Sequence, residues 1–197
     1  MQHAVILCHP NPRSYTHAVA EAYVQAVRAL GDTGVVRDLY ALGFDPRLPS
    51  AELPGATDYA LGPTIIAERT TLAQAQVFVL IYPFWFNAPP AMLKGYLDRV
   101  FSLGFGYRAG VGGTEPALNG RKLLSLTSSG APDRWVARTG ALIALREHFD
   151  GHLAQVCGLT VLDHLHIGGI EPNITEDAFD DALERVKALA RVQFAPA

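Results

Sequence analysis

The sequence contains only two cysteines among its 197 residues, Cys8 and Cys157. Two cysteines without a CxxC spacing exclude a disulfide framework, and their apolar neighbours predict buried, reduced thiols. Charge is also scarce: 18% of the residues are charged, the formal net charge is -3, and no basic stripe occurs. We therefore expect no nucleic-acid partner, because such binding needs clustered lysine and arginine.

A hydrophobic run that could cross a bilayer is also missing. The most apolar stretch, residues 77–93, is interrupted by Pro83, Asn87, Pro89 and Pro90, so we expect no integral membrane segment. The first residues lack the basic start, apolar stretch and small-residue cleavage site of a signal peptide. Together these absences predict a cytoplasmic protein.

Several well-known site motifs do not occur. Without GxxxxGK(S/T) or GxGxxG, a nucleoside triphosphate site and a standard dinucleotide site are disfavoured, and without GxSxG so is a serine hydrolase. His148 and His152 stand four residues apart in HFDGH, which lacks the glutamate of HExxH and a third ligand, so we expect no metal site. His164 and His166 share one strand face and are predicted to be hydrogen-bonded surface histidines.

What the chain does contain is an alternation of strands and helices. The apolar runs Ala4–Cys8 and Val77–Tyr82 are typical of parallel strands covered on both faces. Further strands are predicted at Val35–Leu39, Lys122–Thr127 and Thr160–Ile167, the last one nearer an edge because polar residues interrupt it. Helical patterns lie between and after the strands, and Thr175 is predicted to cap the last helix. This order of elements predicts an α/β doubly wound sheet with right-handed crossovers in one domain over residues 1–197. Residues 41–62, rich in proline and glycine, are predicted to be a long surface connection.

Three loops follow strands at the edge of the sheet where such folds bind ligands. The first, residues 9–16, leads into a helix whose free N–H groups suit a phosphate. Ser14 and Thr16 add hydroxyl groups there, and Arg13 or His9 could add charge. Ordinary helix capping is the alternative explanation of this loop.

The second loop runs from Pro83 through Phe84, Trp85, Phe86 and Asn87 to Pro90. Three successive aromatic residues cannot all point into the core, and flat rings beside backbone N–H groups suit a planar heteroaromatic ligand such as a flavin. An aromatic patch for packing or dimerisation is the alternative.

The third loop, residues 127–132 (TSSGAP), is small and polar directly after a strand. Small residues let backbone N–H groups approach a ligand, and donors aimed at a ring carbonyl would stabilise the negative charge of a reduced flavin.

The three loops together resemble the flavodoxin-like NAD(P)H:quinone oxidoreductase family, the DT-diaphorases and their shorter bacterial relatives. The resemblance covers nearly the whole chain. Its most specific part is PAMLKGYLDRVFSLGFGY at residues 90–107, and it includes RSYTHAV after His9, DLYALGFDPRLPSAE at 38–52, IIAERTTLAQAQVFVLIYPFWF at 65–86, LLSLTSSG at 123–130 and CGLTVL at 157–162. It implies a five-stranded parallel sheet of order 2-1-3-4-5 with helices on both faces.

The resemblance also implies a homodimer with FAD at each of two subunit interfaces, FMN being the alternative, and NAD(P)H as co-substrate. By position, His9, Tyr15 and Thr16, with Ser14 nearby, would hold the diphosphate and ribityl region. The loop that begins at Pro83 would line one side of the ring through Phe84, Trp85, Phe86 and Asn87. The pyrimidine end of the ring would meet Thr127, Ser128, Ser129 and Gly130. Gly106, Tyr107 and Arg108 match the segment that covers the substrate slot of the partner subunit.

One departure from the family concerns a proton-donating pair. Its best-known members carry a tyrosine after the third loop and a histidine shortly beyond it, and these positions fall at Trp135 and Ala141. An indole N–H donates a hydrogen bond but releases no proton near neutral pH, and alanine does neither. We therefore do not expect the tyrosine–histidine relay, although the flavin should still be reducible because backbone donors remain.

The leading hypothesis is a flavin-dependent NAD(P)H oxidoreductase that reduces quinones or similar flat acceptors by two electrons in a ping-pong reaction. The acceptor would bind between Trp135 and the partner's Tyr107. Two alternatives stay open: an FMN-dependent azo- or nitroreductase, and a flavin-binding ancillary subunit that regulates a membrane transporter.

Overall fold

Parallel strands form the central sheet of the computed structural model, which describes residues 1–195. The strands are β1 (Gln2–Leu7), β2 (Thr33–Asp38), β3 (Val77–Pro83), β4 (Tyr107–Gly110), β5 (Gly113–Pro116), β6 (Lys122–Ser128) and β7 (Thr160–Ile167). The helices are α1 (Tyr15–Ala29), α2 (Pro63–Leu72), α3 (Ala91–Val100), α4 (Asp133–Arg138), α5 (Ala141–Leu145), α6 (His152–Cys157) and α7 (Glu176–Phe194). The last two residues of the domain predicted over 1–197 lie outside the described residues.

The sheet has the order β2-β1-β3-β6-β7, and every neighbouring pair is parallel. Counting these strands alone, this is the order 2-1-3-4-5 of a doubly wound sheet, as predicted. β7 has the predicted bounds and lies at an edge. Since β3 is central and flanked on both faces, all of its residues are buried, as its unbroken apolar run indicated.

Helices cover both faces of this sheet and create two cores. On one face, α1 and α7 pack over β1, β3 and β6 through residues such as Tyr23 and Val186. On the other face, α2 and α3 contribute Ile65, Leu93 and Tyr96 to the larger core. Two helices also begin at predicted caps, because the side chains of Ser14 and Thr175 accept hydrogen bonds from the N–H groups of His17 and Ala178.

The predicted surface connection over residues 41–62 needs a correction. Although most of this segment is exposed, Phe44 and Glu52 are buried. The Glu52 carboxylate accepts bonds from the Arg99 guanidinium, with Oε1 2.7 Å from Nη2 and Oε2 2.8 Å from Nε. The segment is therefore bound to α3 by a buried ion pair, which no local sequence pattern indicated.

Two further features differ from the sequence-based expectations. The strands β4 and β5 form an antiparallel hairpin that was not predicted. His164 and His166 are hydrogen-bonded, but the prediction that they lie at the surface is wrong: they are 2% and 7% exposed. His164 contacts Asp150 in the helical segment of residues 146–157, whereas His166 packs against the ring of Phe84.

The thiols of Cys8 and Cys157 are buried, as predicted. Burial raises the pKa of Cys8 to about 12 and that of Cys157 to about 11, so both thiols stay un-ionised at neutral pH. Among the helices of residues 1–195, none combines the length and apolar character that crossing a bilayer requires.

Candidate active site

The carboxyl ends of β1, β3 and β6 meet at one edge of the sheet and surround a common cavity. Backbone bonds hold them together: Cys8 N–H donates to Ile81 O at 3.0 Å, and Phe84 N–H to Ser128 O at 2.7 Å. A cavity of about 230 Å³ lies between them. It is lined by His9, Tyr15, Thr16, Pro83, Phe84, Trp85, Ser128, Ser129, Gly130 and Ile170. Every lining residue except Ile170 is one that the sequence singled out as a candidate.

The first loop supplies a neutral imidazole to this cavity. The backbone N–H of Asn11 donates to His9 Nδ1 at 3.0 Å, and burial lowers the pKa of His9. Since Nδ1 acts as an acceptor, the single proton of the neutral ring lies on Nε2. His9 is thus held as an N–H donor at the wall of the cavity.

Ser14 has a different role from its neighbours. Its Oγ accepts the N–H of His17 and lies 2.9 Å from His17 Nδ1, while His17 Nε2 contacts Asp38 Oδ2 at 3.0 Å. Ser14 does not line the cavity. The structure therefore uses this hydroxyl as a helix cap, the alternative that the sequence left open.

Tyr15 carries a buried hydroxyl with an unused hydrogen-bonding capacity. Its Oη finds no partner within residues 1–195, although the residue lines the cavity and its ring packs edge-on against Phe179. Burial raises the pKa of this phenol, so it remains an O–H donor. Buried polar atoms without partners are rare in proteins, and a site that receives a ligand is one recognised reason for them.

The second loop contains a strained turn. Trp85 and Ala88 exchange two backbone hydrogen bonds of 3.1 Å each, and the two residues between them, Phe86 and Asn87, have φ values of 52° and 56°. This backbone conformation is uncommon for bulky residues. Phe84 is buried, whereas Trp85 is partly and Phe86 fully exposed, so Phe86 and Asn87 lie at the tip of the turn and outside the cavity.

The third loop rests on a buried polar cluster that the sequence analysis did not assign to the site. Thr127 is not among the residues that line the cavity. Its Oγ instead contacts two buried histidines, at 2.8 Å from His164 Nε2 and 3.0 Å from His166 Nδ1. His166 Nε2 in turn lies 3.0 Å from the Oγ of Ser129, a residue that lines the cavity. Burial lowers the pKa of His166 to about 4. Two histidines on one face of a strand were the only sequence signal for this cluster.

The four candidate substrate residues lie outside this cavity. Trp135, on α4, is partly exposed beside Pro132, Arg134 and Arg138. Gly106 precedes β4, and a Cβ at its position would clash with the Phe101 backbone oxygen, 2.1 Å away.

Tyr107 and Arg108 belong to the hairpin of β4 and β5. Tyr107 lines a separate cleft of about 290 Å³ together with His148 and Cys157, and Arg108 is exposed. Within one copy of the chain, Tyr107 and Trp135 therefore line different cavities.

Comparison with known proteins agrees with this geometry. A family model described as Flavodoxin_2, flavodoxin-like fold, matches residues 1–190. The chain belongs to the Flavodoxin_2 family. The flavodoxin-like fold of the family agrees with the doubly wound sheet of the structure.

Relatives of this Flavodoxin_2 member are named as oxidoreductases. An uncharacterized NAD(P)H oxidoreductase of Haemophilus influenzae is 32% identical over 171 residues, covering 86% of this chain and 85% of that protein. The NAD(P)H dehydrogenase (quinone) 1 of Cavia porcellus is 27% identical over 179 residues, covering 81% of this chain and 65% of that protein. A solved structure, general stress protein 14 of Treponema denticola in complex with FMN, is 25% identical, with a TM-score of 0.63 and coverage of 96% and 99%.

Proposed function

We propose that residues 1–197 form one flavin-binding domain that transfers two electrons from NAD(P)H to a quinone or a similar flat acceptor. The observation that carries this proposal is the cavity between β1, β3 and β6, which is lined by aromatic rings, by small polar residues and by Tyr15, whose buried hydroxyl has no partner within residues 1–195. The names of the relatives from Haemophilus influenzae and Cavia porcellus support the same reaction class.

The first loop suits the phosphate-bearing part of a flavin. The opening N–H groups of α1 have no partner inside the helix, and the helix dipole adds a partial positive charge. The Tyr15 hydroxyl, the buried Thr16 and the Nε2–H of His9 add donors around the same space. These residues would hold the diphosphate and ribityl region.

The second and third loops suit the ring system. Pro83, Phe84 and Trp85 form an apolar wall, with Phe86 and Asn87 at the exposed tip beside it. Next to them, Ser128, Ser129 and Gly130 offer a small-residue backbone that can approach the pyrimidine end. A bound flavin supplies a ring that takes a hydride from NAD(P)H and passes two electrons to the acceptor. The chain orients the reactants and excludes water.

A second copy of the chain would complete the site. Pockets that bind small molecules and cofactors have volumes of about 300–1,000 Å³. The cavity in one copy of the chain, about 230 Å³, is smaller. We propose a homodimer in which the hairpin of one subunit places Gly106, Tyr107 and Arg108 over the cavity of the other. The fully exposed Val111 at the hairpin tip and Phe86 at the loop tip supply apolar surface for that contact. The acceptor would then bind between Trp135 and the partner subunit's Tyr107.

FAD is the proposed cofactor, because the resemblance to the quinone oxidoreductases covers nearly the whole chain. FMN is the second candidate, favoured by the Treponema denticola complex. With FMN, azo or nitro compounds would be acceptors of the same flat, electron-poor class.

The test is to purify the protein, identify any released flavin by mass, and measure the bleaching of its absorbance by NADH and NADPH. We expect a yellow dimer that is bleached by a reduced nicotinamide and reoxidised by a quinone with ping-pong kinetics. A purified protein that binds neither FAD nor FMN would contradict the proposal. Bleaching with slow turnover on every acceptor would instead favour the regulatory subunit. A ternary-complex rate law would contradict the ping-pong reaction, in which NAD(P)H and the acceptor would occupy the same slot in turn.

A further inference from the structure

A chain of hydrogen bonds leads from the buried interior to the third loop. At its inner end, the Ser125 hydroxyl donates to Asp150 Oδ1 at 2.9 Å. Asp150 Oδ2 lies 2.5 Å from His164 Nδ1, and His164 Nε2 lies 2.8 Å from the Thr127 hydroxyl. Asp150 is 0% and His164 2% exposed, so this half of the chain is shielded from solvent.

The outer half continues to the cavity without a break. The Thr127 hydroxyl lies 3.0 Å from His166 Nδ1, and His166 Nε2 lies 3.0 Å from Ser129 Oγ. Ser129 Oγ donates to the Ala131 carbonyl at 2.8 Å, and Ser129 is one of the residues that line the cavity. Each of these three contacts has the length of a normal hydrogen bond.

The direction of each bond follows from its outer end. A carbonyl only accepts, so the single proton of Ser129 points to Ala131, and His166 Nε2–H must donate to Ser129. His166 is neutral, since burial lowers its pKa to about 4, and its Nδ1 accepts the proton of Thr127. Thr127 then accepts from His164 Nε2–H. All bonds point outward, and one further proton lies between His164 Nδ1 and Asp150 Oδ2.

We propose that this chain, from Asp150 through His164, Thr127 and His166 to Ser129, is a proton relay that supplies one proton to the flavin ring when it is reduced. The inference rests on the proposed function, because it needs a ring that becomes negatively charged beside Ser129. Trp135 and Ala141 cannot supply this proton, and the inference assigns that role to a different set of residues.

The transfer would balance as a shift of one proton at each link of the chain. The Ser129 hydroxyl would turn from the Ala131 carbonyl to the cavity, give its proton to a reduced ring bound there, and take the Nε2 proton of His166. His166 Nδ1 would take the proton of Thr127, and Thr127 would take the Nε2 proton of His164. The shared proton would become the Nδ1–H of His164, and Asp150 would be a carboxylate. One negative charge would thus move from the ring to the pair of His164 and Asp150. His166 would change from the Nε2–H to the Nδ1–H tautomer, and His164 would carry its proton on Nδ1 alone. The proton would return by the same path on reoxidation.

The surrounding charges are compatible with this movement. Arg146 donates to the His164 backbone carbonyl and pairs with Asp163 at the outer face. Asp133 and Arg185 lie near His166, with Arg185 Nη2 3.5 Å from its carbonyl. Beside Asp150, Tyr82 has a buried Oη without a partner within residues 1–195.

Nitrogen NMR of histidine-labelled protein tests the relay. The FAD-loaded protein is measured oxidised and after reduction by dithionite, and His166 and His164 are assigned with single glutamine variants. We expect His166 to carry its proton on Nε2 in the oxidised protein and both histidines to carry it on Nδ1 after reduction. A protein that binds and reduces FAD while His166 keeps its Nε2 proton overturns the relay but not the proposed function. A protein that binds no flavin overturns both.

Two substitutions at Thr127 provide a matched comparison. Thr127→Val has nearly the same shape without the hydroxyl, so the tautomer change should disappear, whereas Thr127→Ser should retain it. A merely structural hydrogen-bond network predicts no tautomer change in any of these proteins. An equal change in Thr127→Val also contradicts the relay. Should Thr127→Val fail to fold, Ser129→Ala removes the outermost link, and the wild-type measurement decides the question alone.

Discussion

The imidazole of His166 and the ring of Phe84 lie 4.4 Å apart, centroid to centroid, at an interplanar angle of 36°. Phe84 follows β3 and His166 belongs to β7, so this contact bridges β6, which separates the two strands in the sheet. The same imidazole also hydrogen-bonds to Ser129. Phe84, Ser129 and His166 are therefore packed as one unit. A substitution at any of them should alter the shape or the hydrogen bonding of the cavity.

Replacement of Tyr15 by phenylalanine should change stability and ligand binding in opposite directions. The variant loses a buried hydroxyl that has no partner in the described part of the chain, so the free energy of unfolding should stay equal or rise by about 1 kcal/mol. The affinity for FAD should fall about threefold to tenfold, the effect of one lost hydrogen bond. Urea unfolding of the apoprotein and calorimetric titration with FAD measure the two quantities.

Tyr23→Phe is the matched control for Tyr15→Phe. Its hydroxyl lies 2.7 Å from His3 Nδ1 in the core on one face of the sheet, so this variant should lose stability and keep its affinity for FAD. Equal affinity of Tyr15→Phe and wild type would remove the Tyr15 hydroxyl from the site.

Gly130→Ala should weaken FAD binding without destabilising the fold. A Cβ at Gly130 would meet only the Ile170 carbonyl oxygen, at 3.8 Å, which is ordinary contact. The melting temperature should therefore stay unchanged. A methyl group at the cavity wall would hold the ring away from the backbone donors, and we expect about tenfold weaker binding, or about 1.4 kcal/mol. Unchanged affinity with an intact fold would show that the ring does not approach Gly130.

The buried His166 should make stability depend on pH. Its pKa falls from 6.5 to about 4 on folding because burial disfavours the charged ring, so the unfolded chain binds more protons between these values. The contribution is fully present above pH 6.5 and decreases, by up to about 3 kcal/mol, as the pH falls towards 4. Urea unfolding of His166→Gln should show a smaller decrease over this range. The exposed His152→Gln should follow the wild type, and identical slopes in all three proteins would contradict the prediction.

Glu52→Gln should destabilise the protein by about 3–5 kcal/mol, because it leaves the largely buried guanidinium of Arg99 without its carboxylate. The hydrogen bonds from Arg99 also lower the pKa of Glu52, which shows that the folded state favours the charged form. Asp98→Asn provides the control, since its pair with Lys94 is exposed and should contribute less than about 1 kcal/mol. Equal effects of the two substitutions would contradict the assigned role of the buried pair.

Local features of the chain could be predicted from the sequence by itself. The apolar runs of β1 and β3 indicated buried parallel strands, and Ser14 and Thr175 marked the starts of two helices, because burial and capping depend on residues close together in the chain. The alternation of elements then placed the three candidate loops at one edge of the sheet, and the structure brings them together around one cavity.

Other features were decided only by contacts between residues distant in the chain. The pairing of Glu52 with Arg99, the burial of His164 and His166, and their bonds to Asp150 and Thr127 depend on which elements pack together, and no short-range pattern encodes this. Phe86 and Asn87 adopt positive φ although neither is glycine, so composition did not reveal their turn. The hydrogen-bonded chain from Asp150 to Ser129 therefore exists only in the folded protein. There, the packing of distant elements brings titratable groups together and shields them from water, whereas in the unfolded chain each group is hydrated separately.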